Sequence, residues 1–204
     1  MTKWELFFKE KITRIFSEKK EIIDIGGGLR VSKKSGNRHD ISRIWLPHLL
    51  EKVSYKIMDP VTDYNPDIVG DIHRMPFPDN SVDALICMAV LEHVENPLKA
   101  CEEMYRVLKK GGYAFIYIPF IYYYHAEKGY YRDYWRFTGD SIELLFKNFE
   151  IKEVQEVRGA LETWIHLSPL GKVAFFKYAA RFLDKVSGKH KSKQVSGYNI
   201  FLIK

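Results

Sequence analysis

The sequence predicts an α/β fold, a doubly wound and mostly parallel sheet, and three observations predict it. Short apolar runs recur along the chain with helical segments between them, as βαβ units require. The runs at 82–88 and 113–118 are almost continuously apolar, as expected of strands covered on both faces. The first run ends in Gly26-Gly27-Gly28, the kind of turn that brings backbone close to a ligand at the carboxyl end of a parallel sheet.

Each element follows from local pattern. Trp4, Phe8, Ile12 and Ile15 recur at helical spacing among Lys and Glu, which predicts an amphipathic helix over 3–17. Residues 21–25 (EIIDI) predict the first strand, and 29–40 a polar loop containing Gly36. A helical pattern at 41–52 is interrupted by Pro47. Strands follow at 53–58, ending at Asp59-Pro60, and at 67–69, ending near Asp71. After the strand at 82–88, Asn96-Pro97 opens a helix through Leu108, and Lys109-Lys110-Gly111-Gly112 stops it. A strand at 113–118 halts at Pro119. A short helix is expected at 141–146, capped by Thr138, Asp140 or Ser141, and 149–157 alternates as a strand does. The stretch 159–193 reads as a helical, basic insertion before a last strand at 198–203. At 204 residues a single domain spanning 1–204 accommodates these elements, given ~150 residues for an ordinary domain.

Composition narrows the function. With 46% apolar and 28% charged residues the chain can bury its own core, which excludes a disordered tail or a disulfide-framed miniprotein. The net charge of +6 raises nucleic acid or an anionic membrane as partner. Its location decides: residues 1–157 hold 23 Lys and Arg against 24 Asp and Glu, and residues 158–204 hold 9 against 2. The surplus belongs to the C-terminal quarter, so no nucleic acid is expected. Cys87 and Cys101 form no metal-spaced pair and read as small buried hydrophobes; no metal is expected. Charges scattered through MTKWELFFKEK argue against a signal peptide, and no apolar run approaches the ~18 residues of a membrane span. A cytoplasmic location is expected, with peripheral contact at the inner membrane face as its extension.

Carboxylates gather at strand ends. A dinucleotide fingerprint starting at Gly26 would want Gly or Ala at 31, where the chain has Val31. Asp24 beside the turn disfavours a pyrophosphate and favours a cationic ligand. Asp59, after the second strand, suits the two hydroxyls of a ribose. Asp71 and Ile72, after the third, suit an adenine edge. Such a set fits a nucleoside with positive charge and no phosphate, a description that S-adenosylmethionine meets.

The runs IIDIGGG, MDP, GDIHRMPFPDNSVDALICMAVLEHVENP and KKGGYAFIYIP resemble the class I S-adenosylmethionine-dependent methyltransferases, in particular the type 11 group. The D-x-x-x-x-P-F-x-x-x-S-x-D…LEH series is the most specific part, and the likeness covers about residues 20–157. The resemblance implies a Rossmann-like seven-stranded sheet with an antiparallel last strand. It also implies that Asp24, Gly26, Gly27 and Gly28 line the methionine part of the cofactor, Asp59 holds the ribose, Asp71 and Ile72 meet the adenine, and Met88 sits near the sulfonium. One departure is Arg30, where the family pattern has glycine; the guanidinium receiving the cofactor's carboxylate and a mobile loop are both open there.

The acceptor is less determined. A hydroxyl acceptor wants a base with a pKa near neutrality, and His125 and His93 are the candidate catalytic residues. Of 30 aromatic residues, 12 fall between Tyr113 and Phe137, which makes an acceptor pocket or an aromatic minicore of that stretch. Tyr124, Asp133, Tyr134 and Arg136 are the candidate acceptor-binding residues, with an internal ion pair as the other reading of Arg136. The run H…DYWRFT resembles methyltransferases of surface-polysaccharide and glycan synthesis, which implies a sugar hydroxyl on a small molecule, a glycan or a lipid-linked sugar. The basic, aromatic segment 160–193 reads as a lid, a membrane-surface helix, a contact between two copies in a homodimer, or a helix packed by its aromatic face. The other functional readings are an RNA-binding or RNA-modifying methyltransferase and a noncatalytic, cofactor-binding membrane-docking module.

Overall fold

The computed structural model describes residues 1–31 and 39–204; the expected loop glycine Gly36 lies outside the described residues. Helix α1 (Lys3–Glu18) starts at a capping box, in which the Glu5 N–H donates to Thr2 Oγ1 and the Thr2 N–H to the Glu5 carboxylate. The strands are β1 (Glu21–Ile25), β2 (Ser54–Asp59), β3 (Ile68–Val69), β4 (Val82–Met88), β5 (Leu108–Pro119), β6 (Ile151–Val157) and β7 (Gly197–Ile203). They form one sheet in the order β3-β2-β1-β4-β5-β7-β6. β3-β2-β1-β4-β5 are mutually parallel, and β7 runs antiparallel to both β5 and β6. The strand order reverses between β1 and β4, the switch point at which open α/β sheets bind ligands.

Strand periodicity divides the core into two layers. Ile22, Ala84, Ile86, Phe115 and Phe201 face Phe8, Ile12, Ile15 and Phe16 of α1. Ile23, Ile25, Leu85, Cys87 and Ile116 face the other side, where α3 (Pro97–Val107) and α4 (Gly139–Leu145) supply Cys101, Met104, Val107, Ile142 and Leu145. Both cysteines are free and buried, and burial raises both thiols, as their reading as small hydrophobes anticipates.

The structure corrects several boundaries. Leu108 leaves helix α3 to pair with Val82, and Lys109 to Gly112 form an irregularity inside β5, with Gly111 at φ +70°, before Tyr113 pairs with Ala84. The helical pattern at 41–52 becomes a 3-10 turn at Ile41–Arg43 and a short α2 (Pro47–Leu50), with Pro47 in its first turn. Helix α4 has no side-chain cap from Thr138; the Ser141 hydroxyl donates to the Thr138 carbonyl instead. Strand β6 starts at Ile151, after Phe149 has turned into the core. The insertion is two helices, α5 (Ala160–Leu167) and α6 (Ala174–Val186), joined through a 3-10 turn at Pro169–Lys172.

Candidate active site

The turns after β1, β2 and β4 stand at the carboxyl edge of the parallel strands, and the long loop after β5 is tied to those after β2 and β4. The turn after β1 is held from within. Asp24 is fully buried; its carboxylate accepts the N–H groups of Gly28 (3.1 Å) and Leu29 (3.0 Å) and the Tyr55 hydroxyl (2.6 Å). Asp24 therefore shapes the turn, a role that its predicted place beside a cationic ligand did not include. Gly26 and Gly27 take positive φ, +74° and +63°. A Cβ on Gly28 would lie 2.6 Å from Met88 Cβ and 2.7 Å from the Met88 carbonyl oxygen, so the turn packs directly on the end of β4. Arg30 also takes φ +55°, the conformation for which glycine is the natural residue, and its side chain is exposed.

At the end of β2, Asp59 is buried and accepts the Val61 N–H at 2.9 Å. Past β3, Asp71 accepts from both the backbone N–H and Nδ1 of His73, at 2.9 and 2.7 Å, while Ile72 is buried in the core. Asp59, Asp71, Ile72 and Met88 thus stand on three neighbouring strand ends around the glycine turn.

The fourth corner holds the histidines. Leu91–His93 is a 3-10 turn after β4, and the loop after β5 is tied to it by main chain: the N–H groups of Tyr134 and Trp135 donate to the Glu92 carbonyl at 2.7 and 3.2 Å. The Trp135 indole donates to the Val94 carbonyl, and the Tyr134 hydroxyl to Glu95. These bonds set the His93 and His125 rings 4.7 Å apart, with Tyr131 4.4 Å from His93. Asp133 and Arg136 form a bidentate pair at 2.6 and 2.7 Å, and Asp133 also accepts the His125 N–H at 2.8 Å. Arg136 holds Asp133 down to about 2, against the opposing effect of burial. The internal ion pair is thus the arrangement found, with the remaining Arg136 donors on the carbonyls of Tyr122, Tyr123 and Trp135. Tyr124 is three-quarters exposed at the rim. The aromatic crowding divides: Tyr130 stacks on Tyr64 and Tyr122 on Tyr123, while Phe137 is buried in the core.

Sequence reasoning missed two residues here. Tyr55, on β2, completes the Asp24 anchor, and its register opposite Ile22 put it out of reach of any local motif. Glu92 is the other. It is fully buried, and among the described residues neither carboxylate oxygen has a hydrogen-bond partner. Its Oε1 lies 3.6 Å from His125 Nε2 and 3.9 Å from His93 Nε2. Glu92 is also the foremost influence holding His125 above the ordinary histidine value, against burial. Glu92, His93 and His125 each offer a ligand atom within 4.8 Å of the others, a grouping that local spacing does not reveal and that the expectation of no metal left out.

Residues 45–116 match the methyltransferase-domain family. The chain is 30% identical over 99 residues to a 2-methyl-6-phytyl-1,4-hydroquinone methyltransferase of Oryza sativa, spanning 46% of this chain and 29% of that one. It is 28% identical over 147 residues to the ubiquinone/menaquinone biosynthesis C-methyltransferase of Rickettsia akari, spanning 67% and 58%. In these two matches the chain covers less than two thirds of the relative's length. Among solved structures, an S-adenosylmethionine-dependent methyltransferase of Archaeoglobus fulgidus superposes with a TM-score of 0.58 at 13% identity, each chain fully covered. Phosphoethanolamine N-methyltransferase 2 of Haemonchus contortus, in complex with S-adenosyl-L-methionine, superposes at 0.52 with 16% identity over 96% of this chain and 51% of that one. The fold is that of the class I methyltransferases.

Proposed function

We propose that this class I methyltransferase domain transfers a methyl group from S-adenosylmethionine to a hydroxyl of a small molecule or glycan. The observation that carries the cofactor assignment is the glycine turn: it lies flat on Met88 with no room for a Cβ at Gly28, beside a buried carboxylate at the end of β2. The residues present fit the cofactor. Gly26 to Gly28 would lie along its methionine part, Asp59 would accept from the ribose hydroxyls, Asp71 and Ile72 would meet the adenine, and Met88 would border the sulfonium. When bound, the cofactor supplies a methyl carbon already activated by its sulfonium, whose sulfur leaves with the bonding pair.

The chain then has to place an oxygen in line and take charge of its proton, because orientation supplies much of the rate of such a displacement. His93 and His125 stand at the next strand end and suit that task as acceptor-side residues. Tyr124 and Tyr134 border the same loop with exposed rings, suited to stacking on a sugar or other flat face. Asp133 and Arg136 act there by holding His125 and the loop in place. The relatives named for quinones, one of them a C-methyltransferase, support a second acceptor class, a carbon of an electron-rich hydroquinone ring. Segment 160–193 is assigned to peripheral contact with an anionic membrane, which would bring the domain to a lipid-linked acceptor.

Isothermal titration with S-adenosylmethionine tests the cofactor assignment. Binding is expected in the wild type and at least tenfold weaker in Asp59→Ala; unchanged affinity in a folded Asp59→Ala protein would count against it.

A further inference from the structure

We propose that Glu92, His93 and His125 form a binding site for one divalent first-row transition ion on the acceptor side of the sheet edge. The argument starts from Glu92. An ionised carboxylate taken out of water is strongly disfavoured unless hydrogen bonds or a cation compensate it. Glu92 is fully buried and both its oxygens lack a hydrogen-bond partner among the described residues. Arg136, whose charge bears on Glu92, is committed to Asp133 through both guanidinium arms.

The histidines face this carboxylate through Nε2. His93 Nδ1 lies 2.7 Å from the Arg132 carbonyl oxygen and donates to it, which leaves Nε2 as the ring nitrogen turned toward Glu92. His125 Nδ1 lies 3.1 Å from the Tyr123 carbonyl and 3.2 Å from Asp133 Oδ2, which likewise turns Nε2 toward Glu92. Carboxylates and carbonyls holding the far nitrogen are the outer partners that orient ligating histidines. The Nε2 atoms then lie 3.6 and 3.9 Å from Glu92 Oε1. Two ligands of one tetrahedral ion, each ~2.1 Å from it, stand roughly 3.4 Å apart. A shift of a few tenths of an ångström would bring each histidine to that separation from Glu92, and the three ligand atoms all lie within 4.8 Å of one another.

Two imidazoles and one carboxylate suit zinc, manganese, iron or cobalt better than magnesium or calcium. The three protein ligands would leave coordination positions open, where a hydroxyl or water loses its proton more readily than in bulk. His93 and His125 would then act as ligands that lower the acceptor's pKa, so that its proton would pass to solvent water without a general base. That use rests on the methyl-transfer reading; ion binding itself does not.

The test uses the full chain, stripped with a chelator and titrated with cobalt(II) chloride, followed by visible absorption and by calorimetric competition with zinc chloride. One ion per chain with bands of nitrogen-ligated cobalt is expected. His93→Ala and His125→Ala should each weaken binding at least tenfold, and Glu92→Gln likewise. His48→Ala, on exposed helix α2, should leave it unchanged. Circular dichroism confirms folding; if Glu92→Gln does not fold, the two histidine variants carry the test. Failure of the wild type to take up a stoichiometric ion, or equal binding by the folded histidine variants, overturns the proposal. S-adenosylmethionine binding is titrated separately. Its absence beside retained ion binding would overturn the methyl-transfer reading alone.

Discussion

Arg30 shows how much a single backbone angle carries. Its φ of +55° is a conformation that costs an L residue roughly 1 kcal/mol or more, and that glycine adopts freely. The turn nevertheless closes, with the Arg30 N–H on the Gly27 carbonyl at 3.1 Å and the Arg30 carbonyl accepting from Asp40 at 2.9 Å. Arg30→Gly should therefore raise stability by about 0.5–1 kcal/mol, since relief of strain exceeds the entropy that glycine adds to the unfolded chain. For a chain of this size the melting temperature should rise by roughly 1–4 °C, measured by scanning calorimetry. A lower melting temperature would show that the guanidinium makes a contact worth more than the strain. The glycine pattern flagged position 30 in the sequence, but only the angle shows that arginine occupies the same conformation. Asp24 was legible from its place beside the glycine turn, whereas its partner Tyr55 was not, because their meeting depends on the pairing of β1 with β2.

Helices α5 and α6 show the same limit one level up. The sequence marked 159–193 as helical and basic, but periodicity alone could not say which face packs. The face of α6 turned inward is its polar one. Asp184 is buried and accepts the N–H groups of Leu161 and Glu162, both at 2.9 Å, which caps α5 from another helix. Arg181 pairs with buried Glu162 at 2.7 Å. Gly159 completes the fit, since a Cβ there would fall 2.5 Å from the Asp184 carboxylate. Asp184→Ala leaves two helix N–H groups without their acceptor and should cost about 2 kcal/mol, or roughly 4–8 °C in melting temperature. Asp184→Asn, which keeps one oxygen acceptor, should lose less. Hydrogen exchange would place the loss in α5; uniform loss of protection across the sheet would refute a local capping role. The contacts reach further, because His166 of α5 stacks on Tyr122 at 6.0 Å, and burial together with Arg158 and Lys177 lowers His166 to about 4. Two strands, by contrast, were legible to the residue: 21–25 and 82–88 coincide with β1 and β4, the first stopped by the glycine turn and the second opened by the polar turn Asp79-Asn80-Ser81.

Across the whole molecule, charge and apolar surface fall in one place. The sequence located the excess of Lys and Arg in residues 158–204 but left open whether the aromatic side chains there pack inward. They do not: Phe175, Tyr178, Phe182 and Val186 recur at helical spacing along α6 and are each about two-thirds exposed. Trp164 of α5 is 73% exposed. Among the described residues no helix is long and apolar enough to cross a membrane. An exposed apolar stripe flanked by Lys172, Lys185, Lys189 and Lys191 matches a helix lying in the headgroup layer of an anionic bilayer, where apolar burial and electrostatic attraction add. The protein should therefore co-sediment with vesicles containing phosphatidylglycerol and not with phosphatidylcholine vesicles, with binding weakened by salt. Phe175→Ser with Phe182→Ser should abolish that binding while S-adenosylmethionine binding persists, because neither ring touches the glycine turn or the strand ends around it. Sedimentation velocity separates the competing occupant. A wild-type dimer that the same double substitution makes monomeric, without vesicle binding, would assign the stripe to a second copy of the chain and overturn the membrane reading.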